Sequence, residues 1–200
     1  TRWICTRTPA NLEQLQKEYG VERGTTDYRE MLADPDLDAV IVSTPPFLHA
    51  EQGIAVLEAG KHLLLEKPMA TSEYDAARLV DAAAAHRNLV RLEASCRFSR
   101  LNPKYDFVKE IINSGRLGRV YLVHHHEMKP GTFLDHNPRA TDWATDPDRA
   151  GGGPVIDWGP YDFHTVHDLL EPVAATVSGA WTARPATAVD PTDVPNDVEQ

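Results

Sequence analysis

Residues 59–68 read Ala-Gly-Lys-His-Leu-Leu-Leu-Glu-Lys-Pro, an apolar run that ends in two charged residues and a proline. Leu63–Leu65 predicts a short buried strand of a parallel sheet. Because open α/β sheets bind ligands beyond the carboxyl ends of their strands, we expect Lys67 to lie where a ligand binds. Pro68 ends the strand and restricts the backbone there. An isolated Glu-Lys pair is more often an ordinary surface ion pair, so the interpretation depends on the rest of the chain.

The first half of the chain alternates short apolar strands with helical segments. Strands are predicted at Trp3–Cys5, Ala39–Val42, Leu63–Leu65 and Leu89–Ala94. Helices are predicted at Pro9–Tyr19, Tyr28–Ala33 and His49–Ala59, and from a Ser72 cap to His86. This alternation, with short links, predicts a parallel sheet covered by helices on both faces.

The second half follows a different pattern, which places a boundary near residue 97. A helix is predicted over Asn102–Asn113, an alternating strand with one covered face over Arg119–Met128, and another strand over Val173–Ala183. Lys129–Arg149 reads as a long polar loop, the kind of segment that often carries function. We therefore divide the chain into an α/β unit, residues 1–97, and an α+β unit, residues 98–200.

Composition narrows the class of protein and of partner. The chain has 200 residues, a formal net charge of −10 and 42% hydrophobic residues. These values fit a globular protein and argue against nucleic acid or an anionic membrane as a partner, since both need a basic surface. No run approaches the ~18 apolar residues of a membrane span. With two cysteines, Cys5 and Cys96, we expect buried thiols in a reducing compartment and hence a cytoplasmic protein.

The chain begins at Thr1 and leads at once into a strand, so it reads as an internal piece of a longer protein. A secretion signal upstream of Thr1 therefore stays an open alternative to the cytoplasmic location.

Residues from about Asp157 to Leu170 predict a helix with two unlike faces. At about 100° per residue, one narrow stripe holds Asp157, Tyr161, His164 and Asp168. The opposite side, suited to burial, holds Phe163, Val166, Leu169 and Leu170. Three glycines at 151–153 permit a close approach before this helix. The pattern alone leaves open whether the polar stripe is a reactive site or a solvated face.

Several motifs follow one another in a fixed order. They are Asp38-Ala-Val-Ile-Val-Ser-Thr-Pro45, then His49, Glu58-Ala-Gly-Lys-His62, Glu66-Lys67-Pro68, Arg97-Phe98, Asn102-Pro103, and Gly151-Gly152-Gly153 followed by Asp157 and Gly159. In this order they resemble the glucose–fructose oxidoreductase / inositol dehydrogenase / MocA family of nicotinamide-dependent dehydrogenases. The resemblance extends from about Trp3 to Ala183.

The resemblance implies a Rossmann domain followed by a domain built on a mostly antiparallel sheet. Residues 1–97 would be a truncated NAD(P)-binding Rossmann domain, because the first strand and its glycine-rich turn should precede Thr1. Residues 98–200 would be part of a substrate and dimerisation domain, whose later strands should follow Gln200. In this family the second sheet often forms a homo-oligomer.

The resemblance also places cofactor contacts at the strand ends. The residues implied are Thr6, Arg7, Ser43, Thr44, Pro45, His49, Glu66, Lys67, Pro68 and Arg97. Thr6 occupies the position where the family usually has an acidic residue for the ribose hydroxyls, and Arg7 follows it. An arginine without that carboxylate favours a ribose phosphate, so we predict NADP, with NAD as the alternative. His49 as a simple helix cap and Arg97 as an ordinary ion pair, or as a substrate contact, are left open.

The same resemblance assigns catalysis to Lys67, Asp157 and Tyr161. Tyr161 stands where many members have a histidine, as in the branch that includes dihydrodiol dehydrogenase. We expect Tyr161 to act as the acid/base, with its pKa lowered by Lys67. Lys67 would also bind the substrate oxygen, and Asp157 would orient Lys67 or a substrate hydroxyl. The expected reaction moves a hydride between the cofactor and a CH–OH carbon.

The substrate is expected to be a sugar, an inositol or a dihydrodiol. His164 and Trp143 are the predicted substrate contacts, although an ordinary polar loop around Trp143 would look the same. His124 and His126 share one face of a predicted strand, but no third ligand is fixed by the sequence, so no metal site is predicted. Two other functions stay open: an NAD-dependent glycosidase of the same fold, and a homologue that binds cofactor or sugar without turnover.

Overall fold

Short strands and helices alternate through the first hundred residues of the computed structural model. The structure describes residues 1–126, 141–144, 146–152, 154–176 and 178–179. The strands are β1 (Trp3–Cys5), β2 (Arg23–Thr25), β3 (Ala39–Val42), β4 (His62–Leu65) and β5 (Arg91–Glu93). The helices of this part are α1 (Pro9–Tyr19), α2 (Tyr28–Leu32), α3 (His49–Glu58), α4 (Glu73–Ala85) and α5 (Cys96–Arg100), with a 3₁₀ turn at Pro46–Leu48. The predicted α/β alternation is confirmed.

The strands form two parallel groups. β1 pairs with β2, and β3, β4 and β5 pair in that order. Ile41, Leu64 and Leu92 lie in register across the three-stranded group, on the face opposite α3 and α4. Ile41 is 69% exposed and Leu92 is 45% exposed. In the residues described, helices therefore bury one face of this sheet and leave the other apolar and open.

The core lies on the covered face. Val40 and Val42 of β3 and Leu63 and Leu65 of β4 alternate inward and meet α3 and α4. Leu57 of α3 is fully buried, and burial of a leucine side chain contributes about 1.5–3 kcal/mol relative to exposure. This packing fixes β4, and therefore the position of the residues that follow it.

β2 is an element that the sequence does not predict. Its sequence, Arg-Gly-Thr, has no apolar alternation, and it forms by pairing with β1. A side chain at Gly24 would meet the Gln16 amide of α1 at 2.7 Å. That amide donates to the backbone carbonyls of Val21 and Glu22. A larger residue at position 24 would therefore displace the Gln16 amide from these carbonyls.

The second half is largely helical where it is described. It contains α6 (Pro103–Asn113), α7 (Thr141–Ala144), α8 (Pro147–Ala150), α9 (Pro154–Asp157) and α10 (Gly159–Leu170). The predicted helix from Asp157 is therefore divided at Trp158, and two short helices lie inside the predicted Lys129–Arg149 loop. Residues 129–140 and 145 of that loop, and Gly153, lie outside the described residues.

The strand predictions for the second half are not matched. Residues 119–126, 173–176 and 178–179 form no strand, and the other residues of both predicted strands (127–128, 177 and 180–183) lie outside the described residues. Tyr121 is 89% exposed and Leu122 is 75% exposed. A strand needs a hydrogen-bonded neighbour, and the described part of this half supplies none. All strand pairs that are described are parallel, so the expected antiparallel sheet is not among them.

Asp34, just after α2, connects the two groups of strands. Its carboxylate accepts from Arg2 (2.6 Å), the Trp3 indole (2.7 Å) and Arg23 (2.7 Å), which hold β1 and β2. Its backbone carbonyl accepts from the buried Lys61 ammonium at 2.9 Å, directly before β4. Hydrogen bonds from Arg2 and Trp3 hold the pKa of Asp34 well below its ordinary value.

Replacing Asp34 by asparagine is expected to lower the free energy of unfolding of the protein. It should also make that free energy depend less on pH in the acid range. The pKa of Asp34 is lower in the folded state than the ordinary value of about 3.9. Its stabilisation is therefore complete above about pH 4 and is lost as the pH falls toward the folded pKa. Urea unfolding of the full protein at a series of pH values measures both effects. Asp36→Asn is the matched control, since Asp36 is 72% exposed and contacts Arg2 alone among these partners. Equal acid sensitivity in Asp34→Asn and the unmodified protein would contradict the assignment.

Candidate functional site

Lys67 joins the end of β4 to the second half of the chain. Its ammonium donates to the Asp157 carboxylate and, at 2.7 Å, to the Asp157 backbone carbonyl. The two side chains are 13% and 25% exposed, so both charges are largely withdrawn from water. The structure thus brings together two of the three predicted catalytic residues, at the carboxyl end of a parallel strand.

Asp157 reaches Lys67 because the chain before it packs against the loop after β4. Gly151 has φ +79°, and a side chain there would lie 2.9 Å from Cβ of Thr71. Gly152, at φ +142°, would place a side chain 2.9 Å from Ile156. Both the backbone angle and the contact require glycine. The glycines predicted to permit a close approach do so at 151 and 152.

Tyr161 lies beside this ion pair and is 5% exposed. Its phenol oxygen accepts a hydrogen bond from Arg97, and the Lys67 ammonium lies 5.2 Å from the centre of its ring. Burial raises the pKa of Tyr161 to about 12, while Arg97 lowers it and Glu66 and Asp157 raise it. The expected lowering of this pKa by Lys67 is wrong, because burial outweighs the nearby cation and that cation is Arg97.

Glu66 ties Arg97 to the same strand end. Arg97 Nη1 donates to Glu66 Oε1 at 2.6 Å, and Glu66 Oε2 accepts from the Lys67 backbone N–H at 3.1 Å. Of the roles left open for Arg97, the structure shows an ion pair with Glu66 together with a contact to Tyr161. The short segment Glu66–Lys67 therefore supplies one cation, Lys67, and binds the other, Arg97.

His49 is 1% exposed, and both of its ring nitrogens lie on backbone carbonyls. Nδ1 lies 2.7 Å from the Pro68 carbonyl and Nε2 lies 2.6 Å from the Thr44 carbonyl. The ring thus connects the turn after β3 to the loop after β4. Its influence on a bound ligand is carried by these two loops, because the ring has almost no exposed surface.

The other predicted cofactor residues lie at the ends of strands. Thr6 and Arg7 follow β1, and the Thr6 N–H donates to the Thr25 carbonyl at 3.3 Å. Ser43, Thr44 and Pro45 follow β3, and the Thr44 hydroxyl donates to Gln52 at 2.7 Å. Pro68 follows β4 through a cis peptide bond with Lys67. Because parallel strands of one sheet end on the same side, the turn after β3 shares the edge that carries Lys67. Thr6 and Arg7 follow a strand of the other parallel pair.

The face of α10 that is buried differs from the predicted one. Tyr161 and Thr165 are buried, whereas Phe163 is 69% exposed and Leu170 is 37% exposed. The polar stripe faces inward because α5 and α6 present cations to it: Asp168 lies 3.6 Å from Arg100 and 3.5 Å from Lys109. The apolar side of the predicted helix is therefore the more solvent-exposed one.

Two buried polar atoms near the site have no hydrogen-bond partner among the described residues: Asp157 Oδ2 and His164 Nε2. Burial lowers the pKa of His164, which favours the neutral ring. A carboxylate oxygen accepts hydrogen bonds, and a neutral imidazole nitrogen accepts or donates one. Because buried polar groups are normally paired, these two atoms fit a ligand that carries hydroxyl groups.

Trp158 is a site residue that the sequence analysis missed. The Lys67 ammonium lies 5.5 Å from the centre of its ring, and its ring centre is 5.6 Å from that of Tyr161. Its place directly after Asp157 was the signal that could have found it. Trp143, a predicted substrate contact, lies in α7 and is partly buried.

The histidines considered as metal ligands lie in residues 119–126. His125 contacts Asp162 at 3.0 Å, and the rings of His124 and His126 stack with centres 6.3 Å apart. Within the described ranges, no group of three histidine, cysteine or acidic side chains has the arrangement of a metal site. In the same ranges, no helix has the length and apolar character needed to cross a membrane.

Two family matches together extend over most of the chain. Residues 2–94 match the oxidoreductase family with an NAD-binding Rossmann fold, GFO_IDH_MocA. Residues 105–198 match the GFO/IDH/MocA C-terminal domain.

Curated relatives share roughly a third of the aligned residues. The levoglucosan dehydrogenase of Pseudarthrobacter phenanthrenivorans is 33% identical over 145 residues, which are 72% of this chain and 33% of that protein. The dTDP-3,4-didehydro-2,6-dideoxy-alpha-D-glucose 3-reductase of Saccharopolyspora spinosa is 35% identical over 182 residues, 88% of this chain and 50% of that protein. The chain thus spans half or less of the length of these relatives.

Solved structures agree with these matches. A levoglucosan dehydrogenase in complex with NADH and levoglucosan superposes with a TM-score of 0.69 at 27% identity, over 84% of this chain and 44% of that one. The myo-inositol 2-dehydrogenase of Lactobacillus plantarum superposes with a TM-score of 0.71 at 23% identity, over 84% of this chain and 48% of that one, a likeness that shows the fold alone. The expected Rossmann-type fold is confirmed, and the chain belongs to the GFO/IDH/MocA oxidoreductase family.

Proposed function

We propose that the protein containing this chain is a nicotinamide-dependent oxidoreductase that acts on a CH–OH group of a sugar, polyol or similar polyhydroxylated substrate. The observation that carries the proposal is the Lys67–Asp157 ion pair beside the buried Tyr161, at the carboxyl end of β4. Relatives named as dehydrogenases and reductases of sugars and inositols support the substrate class.

A nicotinamide cofactor fits the residues of this chain. Arg7, Thr44 and Glu66 each follow the carboxyl end of a parallel strand, which is where open α/β sheets bind ligands. The unpartnered Asp157 Oδ2 next to the Lys67 ammonium suits a ligand hydroxyl. When bound, the cofactor would exchange the hydride with the substrate carbon.

The chain's own residues would bind the substrate oxygen and manage its proton. The Lys67 ammonium donates a hydrogen bond to that oxygen, and Asp157 accepts one from a neighbouring hydroxyl through Oδ2. Since burial raises the pKa of Tyr161 to about 12, the phenol is protonated near neutral pH. It can therefore give its proton to a carbonyl oxygen as that oxygen becomes a hydroxyl, and take it back in the reverse direction.

We also infer that the whole protein completes both sheets. β1 and β3 each have one edge without a strand partner among the described residues, and a further parallel strand between them would satisfy both edges. We propose a substrate domain from residue 98 onward, with an antiparallel sheet that forms a homo-oligomer; the match of residues 105–198 to the GFO/IDH/MocA C-terminal domain supports the presence of this domain.

NADP is the cofactor that we favour over NAD. Thr6 and Arg7 follow β1, and this strand end has threonine where a carboxylate would bind the ribose hydroxyls. The guanidinium of Arg7 can form charge-assisted hydrogen bonds to a ribose phosphate. Solved relatives in complex with NADH show that the family also uses the unphosphorylated cofactor, so the preference needs its own test.

Removal of Lys67 or of the Tyr161 hydroxyl should reduce turnover much more than cofactor affinity. Lys67→Met removes the donor to the substrate oxygen, and Tyr161→Phe removes the acid/base, so kcat should fall about 10²- to 10⁴-fold in each. The measurements are steady-state kinetics on a panel of polyols and sugars, together with fluorescence titration of the cofactor. Lys104→Met, which changes an exposed lysine on α6, is the matched control. Turnover near that of the unmodified protein in both variants would overturn the assignment.

The cofactor preference is tested by fluorescence titration of the full protein with NADPH and NADH. NADPH should bind more tightly, and Arg7→Ala should weaken NADPH binding about 10- to 100-fold while changing NADH binding little. Lys17→Ala, which removes an exposed cation from the last turn of α1, serves as the control. Tighter binding of NADH by the unmodified protein would contradict the preference.

A further inference from the structure

Arg97 bridges the strand end and the tyrosine of the proposed site. From α5, its Nη1 donates to Glu66 Oε1 at 2.6 Å, and its Nη2 donates to the Tyr161 phenol oxygen. The guanidinium carbon also lies 5.2 Å from the centre of the Tyr161 ring. The two terminal nitrogens of one planar guanidinium thus donate to two different residues.

The chemistry of arginine determines which partner donates in the hydrogen bond between Arg97 and Tyr161. A guanidinium donates hydrogen bonds, never accepts them and stays charged at every pH at which proteins are folded. The phenol oxygen of Tyr161 must therefore be the acceptor toward Arg97. Its own proton then points away from Arg97, and in the phenolate form the same contact becomes a hydrogen bond between opposite charges.

Glu66 determines where the guanidinium lies. One of its oxygens holds Arg97 and the other accepts the Lys67 backbone N–H at 3.1 Å. The Glu66 and Arg97 side chains are 34% and 40% exposed, so this ion pair adds little to stability. Its consequence is geometric, because it ties the position of Arg97 to the strand end that carries Lys67.

The other cation of the site is engaged differently. The Lys67 ammonium donates to the carboxylate and the carbonyl of Asp157 and lies 5.2 Å from the centre of the Tyr161 ring. The two cations therefore have separate partners, a carboxylate for Lys67 and a phenol for Arg97. A role for Arg97 through the tyrosine is distinct from the assignment of Lys67 to the substrate.

We propose that Arg97, held by Glu66, is a positioning residue that orients the Tyr161 hydroxyl and makes the phenol a stronger acid than its buried setting would otherwise allow. This inference rests on the proposed function, in which Tyr161 is the acid/base.

The charges around Tyr161 support an acid-strengthening effect of Arg97. Burial is the largest influence and raises the pKa of Tyr161, and the nearby charges of Glu66, Asp157 and Glu93 raise it further. Arg97 is the cation that acts in the opposite direction. Loss of its charge should therefore leave a weaker acid.

The experiment measures the acidity of the phenol directly in the full protein, without cofactor or substrate. Site-specific 3,5-difluorotyrosine in place of Tyr161 lowers the titration of the phenol into a range where the protein stays folded and supplies a fluorine signal for NMR. In this background, Arg97→Met should raise the titration midpoint by about one unit or more, a tenfold weaker acid. Arg97→Lys should give an intermediate midpoint, because it keeps the charge but loses the planar fork.

Arg100→Met is the matched control on the same helix. Arg100 lies 3.6 Å from Asp168, and its removal should leave the fluorotyrosine midpoint unchanged. An Arg97→Met midpoint equal to that of the unmodified protein would overturn the inference. So would weaker cofactor binding in Arg97→Met without a shifted midpoint, which would make Arg97 a cofactor contact instead.

The outcome is separable from that of the proposed function. A protein that turns over no polyol or sugar, yet shows the shifted midpoint, would retain the Arg97 assignment and lose the proposed reaction. A protein that turns over a polyol or sugar but shows no shifted midpoint would retain the proposed reaction and lose the Arg97 assignment.

Discussion

The ion pair between Lys67 and Asp157 determines where the two halves of the chain meet. The partners are 90 residues apart in sequence, and both are largely shielded from water. Removal of either one would leave the other as an unpaired, mostly buried charge, which is strongly destabilising. Gly151, which has no side chain, allows the backbone before Asp157 to lie against Thr71 in the loop after β4. The site is therefore built at a junction and depends on the packing of both halves.

Around this junction, the two cations have different hydrogen-bond partners. Lys67 is neutralised by Asp157, whereas Arg97 shares its charge between Glu66 and the Tyr161 phenol. His49 adds no charge contact of its own but joins the two loops on which these groups depend. Lys67, Asp157 and Arg97 are thus held by backbone and ion-pair contacts.

Sequence patterns were sufficient for elements that their own residues stabilise. The apolar runs of β3 and β4 and the Ser72 cap of α4, whose hydroxyl accepts from the Asp75 N–H, needed no knowledge of distant neighbours. β2 has no such signal, since it depends on pairing with β1. The buried face of α10 was predicted wrongly because periodicity separates two faces without showing which one meets Arg97 and Arg100. The same limitation led to Lys67, rather than Arg97, being expected at the phenol.

The placement of the core has a consequence for how this fold opens. The main hydrophobic cluster is supplied by β3, α3, β4, α4 and Leu89, whereas α1 buries no residue and the β1–β2 pair is joined to β4 through the polar contacts of Asp34. Segments with few buried apolar contacts open first in amide hydrogen exchange. Among the described residues, the β1–α1–β2 segment should therefore be less stable than the core of β3, β4, α3 and α4. Under the proposed function, the adenosine end of a bound dinucleotide would then lie on the less stable segment and its nicotinamide end beside the more stable core.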